Sequence, residues 1–310
     1  TTIAVYVDDL VISGSDPSIV QDLKKLSFAS RFKITDLGSL SQILGIKVTR
    51  DLSNKHFFQS NFTYKRCNCK VGLDFLPAVR TPMDHTADLT PTPGYVCELM
   101  YANRYRPMVG TLAWLSNWTR PELAFAVHKL QRTQSNPEPK HFEAAERGFR
   151  YLKRTQPERP RLGGDLVLRA FTDSDFCQDK VQGKYVTGYV LMLGDSPIVW
   201  LSKLQGAVST STVRAEYLAL RAAIKDIMWL RNLLSNLGYP QAQPTPVVED
   251  NSACFVWAND LLVFFFKRHL HVSYYLAKEQ VNLGTIRMCY TKTSDQVADI
   301  FTKALNAEVF

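Results

Sequence analysis

Over the first sixty residues the apolar positions come in short blocks bounded by turn formers, the pattern of β-hairpins. Ile3-Ala4-Val5-Tyr6-Val7 and Leu10-Val11-Ile12 flank Asp8-Asp9, which predicts two strands with both acids at the tip. Ser15-Asp16-Pro17 predicts a helix start, and Ile19, Leu23, Leu26 and Phe32 follow it at a helical period of about 3.6. Ile43 to Val48, a polar turn at Asp51–Lys55 and His56-Phe57-Phe58-Gln59 predict a second hairpin. Pro77, Pro82, Pro91 and Pro93 break up the next stretch.

From Arg106 the period becomes helical. Val109, Leu112, Ala113 and Leu115 lead to a new start at Thr119-Arg120-Pro121-Glu122, then a helix over Leu123–Gln131. A further amphipathic helix runs from about Lys140 to Leu152, with Ala144, Ala145, Phe149 and Leu152 on one face. The polar, proline-bearing run Arg154–Arg161 predicts a domain boundary. Beyond it lie strand patterns at Leu166–Thr172, Tyr185–Leu193 and Ile198–Leu201. A long helix over Thr212–Leu237 follows, stopped by Gly238. A strand near Pro246–Val248 leads to a helix from Asn251, and a strand at Ile286–Tyr290 leads to a last helix near Asp295. Three antiparallel strands, a long helix and two β-α units predict a mixed sheet with helices packed on it.

At 310 residues, with 45% hydrophobic and 21% charged positions, the chain has enough apolar surface for two or three cores and is not disordered. Its longest apolar run, Leu261–Phe266, is too short to span a bilayer and ends at Lys267-Arg268. The start at Thr1, without a basic-then-apolar leader, is read as a fragment of something larger. A net charge of +8 suits a polyanionic partner. Cys67-Asn68-Cys69 lacks zinc-knuckle spacing, and His269-Leu270-His271 is an i, i+2 pair that diverges on a helix. The six cysteines are therefore expected to be reduced.

The chemistry lies in carboxylates. Asp8 and Asp9 form one like-charged pair within an apolar hairpin, which a hard divalent cation would neutralise. In the last third, Asp173 follows a strand, Asp250 follows another, and Glu216 lies in the first turn of the long helix. The spacing of Glu216 to Leu220, Ala223, Ile227, Leu230 and Leu234 puts it on the stripe facing the sheet. Asp299 shares a helix face with Asp295. Singly, Asp250 reads as a helix cap, Glu216 as a dipole partner and Asp173 as a turn residue. Together, four acids at one sheet edge repel one another unless cations bind. Two metals roughly 4 Å apart are the usual arrangement for phosphodiester hydrolysis.

Many short runs in one order carry a resemblance along the chain. They include Tyr6-Val7-Asp8-Asp9-Leu10, Thr35-Asp36-Leu37-Gly38, Leu44-Gly45-Ile46-Lys47-Val48, Thr81-Pro82-Met83-Asp84 and Thr119-Arg120-Pro121-Glu122. Thr172-Asp173-Ser174-Asp175, Thr187-Gly188-Tyr189-Val190, Ala215-Glu216-Tyr217-Leu218, Glu249-Asp250-Asn251-Ser252 and Asp295–Lys303 complete the series. The chain resembles the reverse transcriptase–ribonuclease H portion of copia-type LTR retrotransposon polyproteins. The fold class this implies is α/β (α+β): a partial palm over residues 1–60, a helical thumb or connection over 61–155, and a ribonuclease H-like mixed five-stranded sheet with helices over 160–310.

By the same resemblance Asp8 and Asp9 are two of three polymerase carboxylates, and Leu44–Gln59 is the primer grip. Asp173, Glu216, Asp250 and Asp299 are the ribonuclease H quartet, holding two Mg2+ ions with Mn2+ as a substitute. The implied partners are RNA–DNA hybrid, primer–template nucleic acid and the upstream reverse transcriptase portion, which carries the third carboxylate and the fingers. No membrane is involved, and the compartment implied is a cytoplasmic virus-like particle or the nucleus. Departures at Lys65–Cys69, Arg214 and Arg268-His269-Leu270-His271 suggest a diverged copy. The rival reading is a nucleic-acid-binding remnant without catalysis.

Overall fold

A computed structural model describes residues 1–50, 56–59, 77–155, 161–162, 165–176, 183–206, 208–209, 211–259 and 275–310. The polar turn at 51–55, the Cys67–Cys69 motif, the apolar run at 261–266 and the His269–His271 pair lie outside these residues.

The first hairpin forms as its pattern predicts. Strands β1 (Thr2–Tyr6) and β2 (Asp9–Ser13) pair antiparallel with Tyr6 opposite Asp9, so Val7 and Asp8 form the turn. Val7 sits at φ 50, which is strained for a β-branched residue. Both strands are largely exposed. Helix α1 (Pro17–Asp22) is capped by the Asp16 carboxylate, which accepts from Ser18 N–H at 2.8 Å. A wider, π-type turn at Leu23–Phe28 continues it. That turn breaks the expected period, and Ile19, Leu26 and Phe32 are exposed. Strands β3 (Gln42–Ile43), β4 (Ile46–Arg50), β5 (His56–Gln59) and β6 (Arg161–Leu162) make a four-stranded antiparallel sheet containing the second predicted hairpin.

Helices α2 (Leu99–Trp118), α3 (Ala124–Gln131) and α4 (Pro139–Arg154) pack together around Tyr105, Leu112, Leu115, Leu130 and Phe149. The main sheet contains β7 (Leu168–Phe176), β8 (Tyr185–Leu193), β9 (Ser196–Leu204), β10 (Thr245–Glu249) and β11 (Ile286–Tyr290), in the order β11-β10-β7-β8-β9. The β7-β8-β9 meander is antiparallel, while β10 is parallel to both β7 and β11. Helix α5 (Thr212–Asn236) lays Tyr217, Leu220, Ile224 and Ile227 on one face of the sheet, where α6 (Ser252–Asn259) and α7 (Tyr275–Asn282) add Cys254, Ala258 and Ala277. It stops where expected. Gly238 at φ 88 closes a Schellman turn, with Tyr239 N–H donating to Leu234 O and Gly238 N–H to Ser235 O.

The other sheet face is covered by the helical group that precedes it. Ala124 packs with Val190 and Phe301, beside Phe171 and Trp200, while Val186 and Leu204 join the α2–α4 core. Trp200 Nε1 donates to Ser116 O at 2.8 Å, and His128 Nε2 accepts from Leu204 N–H at 3.2 Å. The result is helix layers on both faces of a mixed sheet.

Two local expectations change. The strand holding Asp173 does not stop at Thr172 but runs on to Phe176, because Tyr185–Gly188 continues the pairing. The last predicted helix is instead two 3-10 turns, Thr293–Asp295 and Val297–Phe301. Gln296 keeps an extended backbone between them, and its side chain is held from both ends: Nε2 donates to Thr172 O, and Oε1 accepts from Ala298 N–H. Asp295 is therefore exposed and Asp299 buried, so they share no face.

Candidate active site

Strand β7 carries Asp173, buried and paired in the ladder with Gly188. The parallel neighbour β10 ends at Glu249, and Asp250 is the next residue. Ser211 caps α5 by accepting from Arg214 N–H, which starts the helix at Thr212 and puts Glu216 in its second turn instead of its first. The stripe reading holds, since Glu216 is buried against the sheet. Asp173, Glu216 and Asp250 each place a carboxylate oxygen within 4.8 Å of the other two.

Asp299 joins from the terminal 3-10 turn. Thr302 Oγ1 donates to Asp173 Oδ2, and Lys303 Nζ pairs with Asp299 Oδ2 at 2.8 Å. Gly188 makes this approach possible, because a Cβ there would lie 2.5 Å from Thr302 Cγ2 and 2.8 Å from Phe301 Cβ. Asp8 and Asp9 stand apart from this cluster on the separate two-stranded sheet, both exposed.

The electrostatics follow from crowding like charges out of water. Burial, then the neighbouring Asp299, pushes Asp173 up to about 7 against the bond from Thr302. Glu216 is raised well above the usual range by burial and by facing Glu249 and Asp173. Burial also raises Asp299, which Lys303 partly offsets. Burial works to lower the Lys303 ammonium, but its bond to Asp299 and the charges of Asp173 and Asp175 outweigh it. Glu216 Oε2 and Asp299 Oδ1 are buried and make no hydrogen bond. Oxygens left bare in this way fit a divalent cation, which prefers carboxylate ligands.

Four polar groups at the site escaped the sequence reading. Glu249, fully buried on the inward alternation of Thr245 and Val247, is raised to about 8 by burial. Asp175, two residues past Asp173 on the same side of the strand, is raised to about 6, again by burial. Thr302 and Lys303 follow directly on Asp299, and only the terminal turn brings them inward. Strand alternation signalled Glu249; nothing local signalled the other three.

A mixed sheet ordered 3-2-1-4-5 gathers these acids where its first and fourth strands lie side by side. Residues 1–84 match the family model described as reverse transcriptase (RNA-dependent DNA polymerase). Over 310 residues, 99% of its length, the chain is 32% identical to the retrovirus-related Pol polyprotein from transposon RE1 of Arabidopsis thaliana, covering 21% of that protein. It is 31% identical to the Pol polyprotein from transposon TNT 1-94 of Nicotiana tabacum, covering 99% of this chain and 23% of that one. The chain is thus related in sequence to the Pol polyproteins of copia-type retrotransposons, and spans about a fifth of the length of these relatives. Among solved structures, LC11-RNase H1, isolated from compost, matches with a TM-score of 0.34 and 14% identity, over 44% of this chain and 93% of that one. Prototype foamy virus protease-reverse transcriptase matches with a TM-score of 0.27 and 13% identity, over 98% of this chain and 37% of that one.

Proposed function

We propose that this chain is the C-terminal part of a copia-type reverse transcriptase that cuts the RNA strand of RNA–DNA hybrids at Asp173, Glu216, Asp250 and Asp299. The observation that carries the reading is the convergence of three carboxylates within 4.8 Å, drawn from two adjacent parallel strands and a helix. The four acids would hold two Mg2+ ions, or Mn2+ in their place. When bound, the ions would supply the Lewis acidity that activates a water and stabilises the departing oxygen.

The chain's own residues prepare that chemistry. Asp173 lies close to Glu216 and Asp250 and feels the charge of Asp299, and the Thr302 hydroxyl donates to it. Lys303 holds Asp299 and limits the repulsion among the acids. Hybrid affinity rests on phosphate contacts from basic segments such as Lys153-Arg154 and the run at 159–161, and not on base edges. Residues 1–60 are read as part of a palm, 61–155 as thumb or connection and 160–310 as the nuclease domain. Asp8 and Asp9 would serve RNA-directed DNA synthesis only in the parent polyprotein, on primer–template and with its upstream segment. Among the described residues no helix is long and apolar enough to cross a membrane, and the compartment proposed is a cytoplasmic particle or the nucleus.

The test is Asp173→Asn with labelled hybrid and Mg2+. Cleavage should fall by at least on the order of 100-fold, the scale of removing one preorganised electrostatic group, while hybrid affinity holds. Parental cleavage by the variant would sink the assignment. An inert parent that still binds hybrid would favour a non-catalytic remnant.

A further inference from the structure

The parallel pairing of β7 with β10 covers two positions, Val247 beside Ala170 and Val248 beside Phe171. One step further along that register Glu249 stands beside Thr172, and one step beyond that Asp250 stands beside Asp173. At the intermediate step the strands are joined through side chains. Thr172 Oγ1 donates to Glu249 Oε2 at 3.0 Å, and Glu249 Oε1 accepts from Asn251 N–H at 3.1 Å. Both Thr172 and Glu249 are fully buried. Asn251 is held in turn, its Oδ1 accepting from Cys254 N–H at 2.9 Å at the start of α6. Thr172 O receives Gln296 Nε2 at 2.9 Å, which ties in the segment that carries Asp299.

One side chain, the Glu249 carboxylate, therefore sits directly behind both converging acids. It grips the residue before Asp173 from one side and the backbone after Asp250 from the other. Strand ends splay readily where the ladder stops, and a carboxylate pair meant to share a cation tolerates little change in spacing. We infer that Glu249 and Thr172 form a clasp that sets the separation of Asp173 and Asp250, and so the affinity of the site for a divalent cation. The inference rests on the metal-site reading above. Glu249 is a positioning residue: its oxygens bond Thr172 and Asn251, while its charge also acts on Glu216. A glutamine fits the same place, with its carbonyl oxygen accepting from Asn251 N–H and its amide donating to the Thr172 hydroxyl. The clasp thus needs the shape and polarity of Glu249 and not its charge.

Mn2+ binding to the full chain without nucleic acid tests this, followed by calorimetry and by the Mn2+ spin-resonance signal. Asp173→Asn identifies the signal that belongs to this site. Thr172→Val and Glu249→Val should each weaken Mn2+ binding by about 10-fold, the scale seen when partners behind a metal ligand are removed. Glu249→Gln should stay within about threefold of the parent, and the double valine variant should be little worse than either single one. Near-ultraviolet circular dichroism checks folding, and Thr172→Ala is a second route to the same deletion should the valine not fold. The clasp is wrong if folded Thr172→Val or Thr172→Ala binds Mn2+ like the parent, or if Glu249→Gln loses as much as Glu249→Val. A parent that binds Mn2+ yet cuts no hybrid sinks the nuclease reading alone, whereas one that binds no Mn2+ sinks both.

Discussion

Asp173, Glu216 and Glu249 are residues at which burial and like charge act together. An Asp or Glu titrates ordinarily at 3.8 or 4.5, whereas here Asp173 is pushed up to about 7 and Glu249 to about 8, by burial first in both cases. Asp175, at about 6, moves the same way. Between pH values of about 4 and 8 the folded, metal-free chain therefore holds more protons than the unfolded chain. Stability is then full below the lower end and is lost as pH rises through the upper end. In EDTA the melting temperature should fall by roughly 5–10 °C between about pH 5 and pH 8, given what a few kcal/mol does to a domain of this size. Divalent cation added at the upper pH should restore it. A melting temperature that is flat or rises with pH in EDTA would show that the carboxylates are not crowded as described.

At the scale of elements, the terminal 3-10 segment seats against β8 through the bare backbone of Gly188. Gly188→Ala puts a methyl group against Thr302 and Phe301, whose backbone carbon is 3.0 Å away, and a backbone cannot swing aside. The expected loss is about 1–3 kcal/mol, with a weaker response of melting temperature to Mg2+ as Thr302 and Lys303 move off the acids. A variant with parental stability and parental Mg2+ response would disprove the close approach. How much of this was legible varies by element. A β-prone apolar run marked β8, alternation marked β10 and β11, and the apolar stripe of α5 with Gly238 marked both its length and the inward face of Glu216. The end of β7 was hidden because Thr172-Asp173-Ser174-Asp175 is polar, and only its partner strand keeps it extended. The terminal segment read as a helix because its local pattern is helical. What holds it as 3-10 turns is the bond from Gln296 to Thr172, 124 residues away in sequence. Glu249 was passed over because an acid at a strand end resembles a turn residue until its burial is known.

At the scale of the whole molecule, helices lie on both faces of the sheet. Helices α2–α4 cover the side opposite α5, seating Ala124 on Val190 and Phe301 and holding Trp200 through Ser116. Residues 160–310 produced alone would lay Val186, Val190, Phe301 and Trp200 open to water, a contiguous apolar patch of the kind that drives association. This piece should aggregate, or bind a hydrophobic dye and melt without cooperativity, while the full chain does neither. A monomeric piece that melts cooperatively at the parental temperature would show that the helical layer is dispensable.

The strand order carries a further consequence, for the sequence of events in folding. The β7-β8-β9 meander links neighbours in the chain and closes small loops, whereas β10 must find β7 across the whole of α5. The meander therefore zips first, with Asp173 on an open edge and still in water. Asp250 arrives only when β10 docks, and Asp299 only when the last turn folds over Gly188. The mutual repulsion of the acids is thus met late, by a structure already held together, and the site matures as the final step of folding.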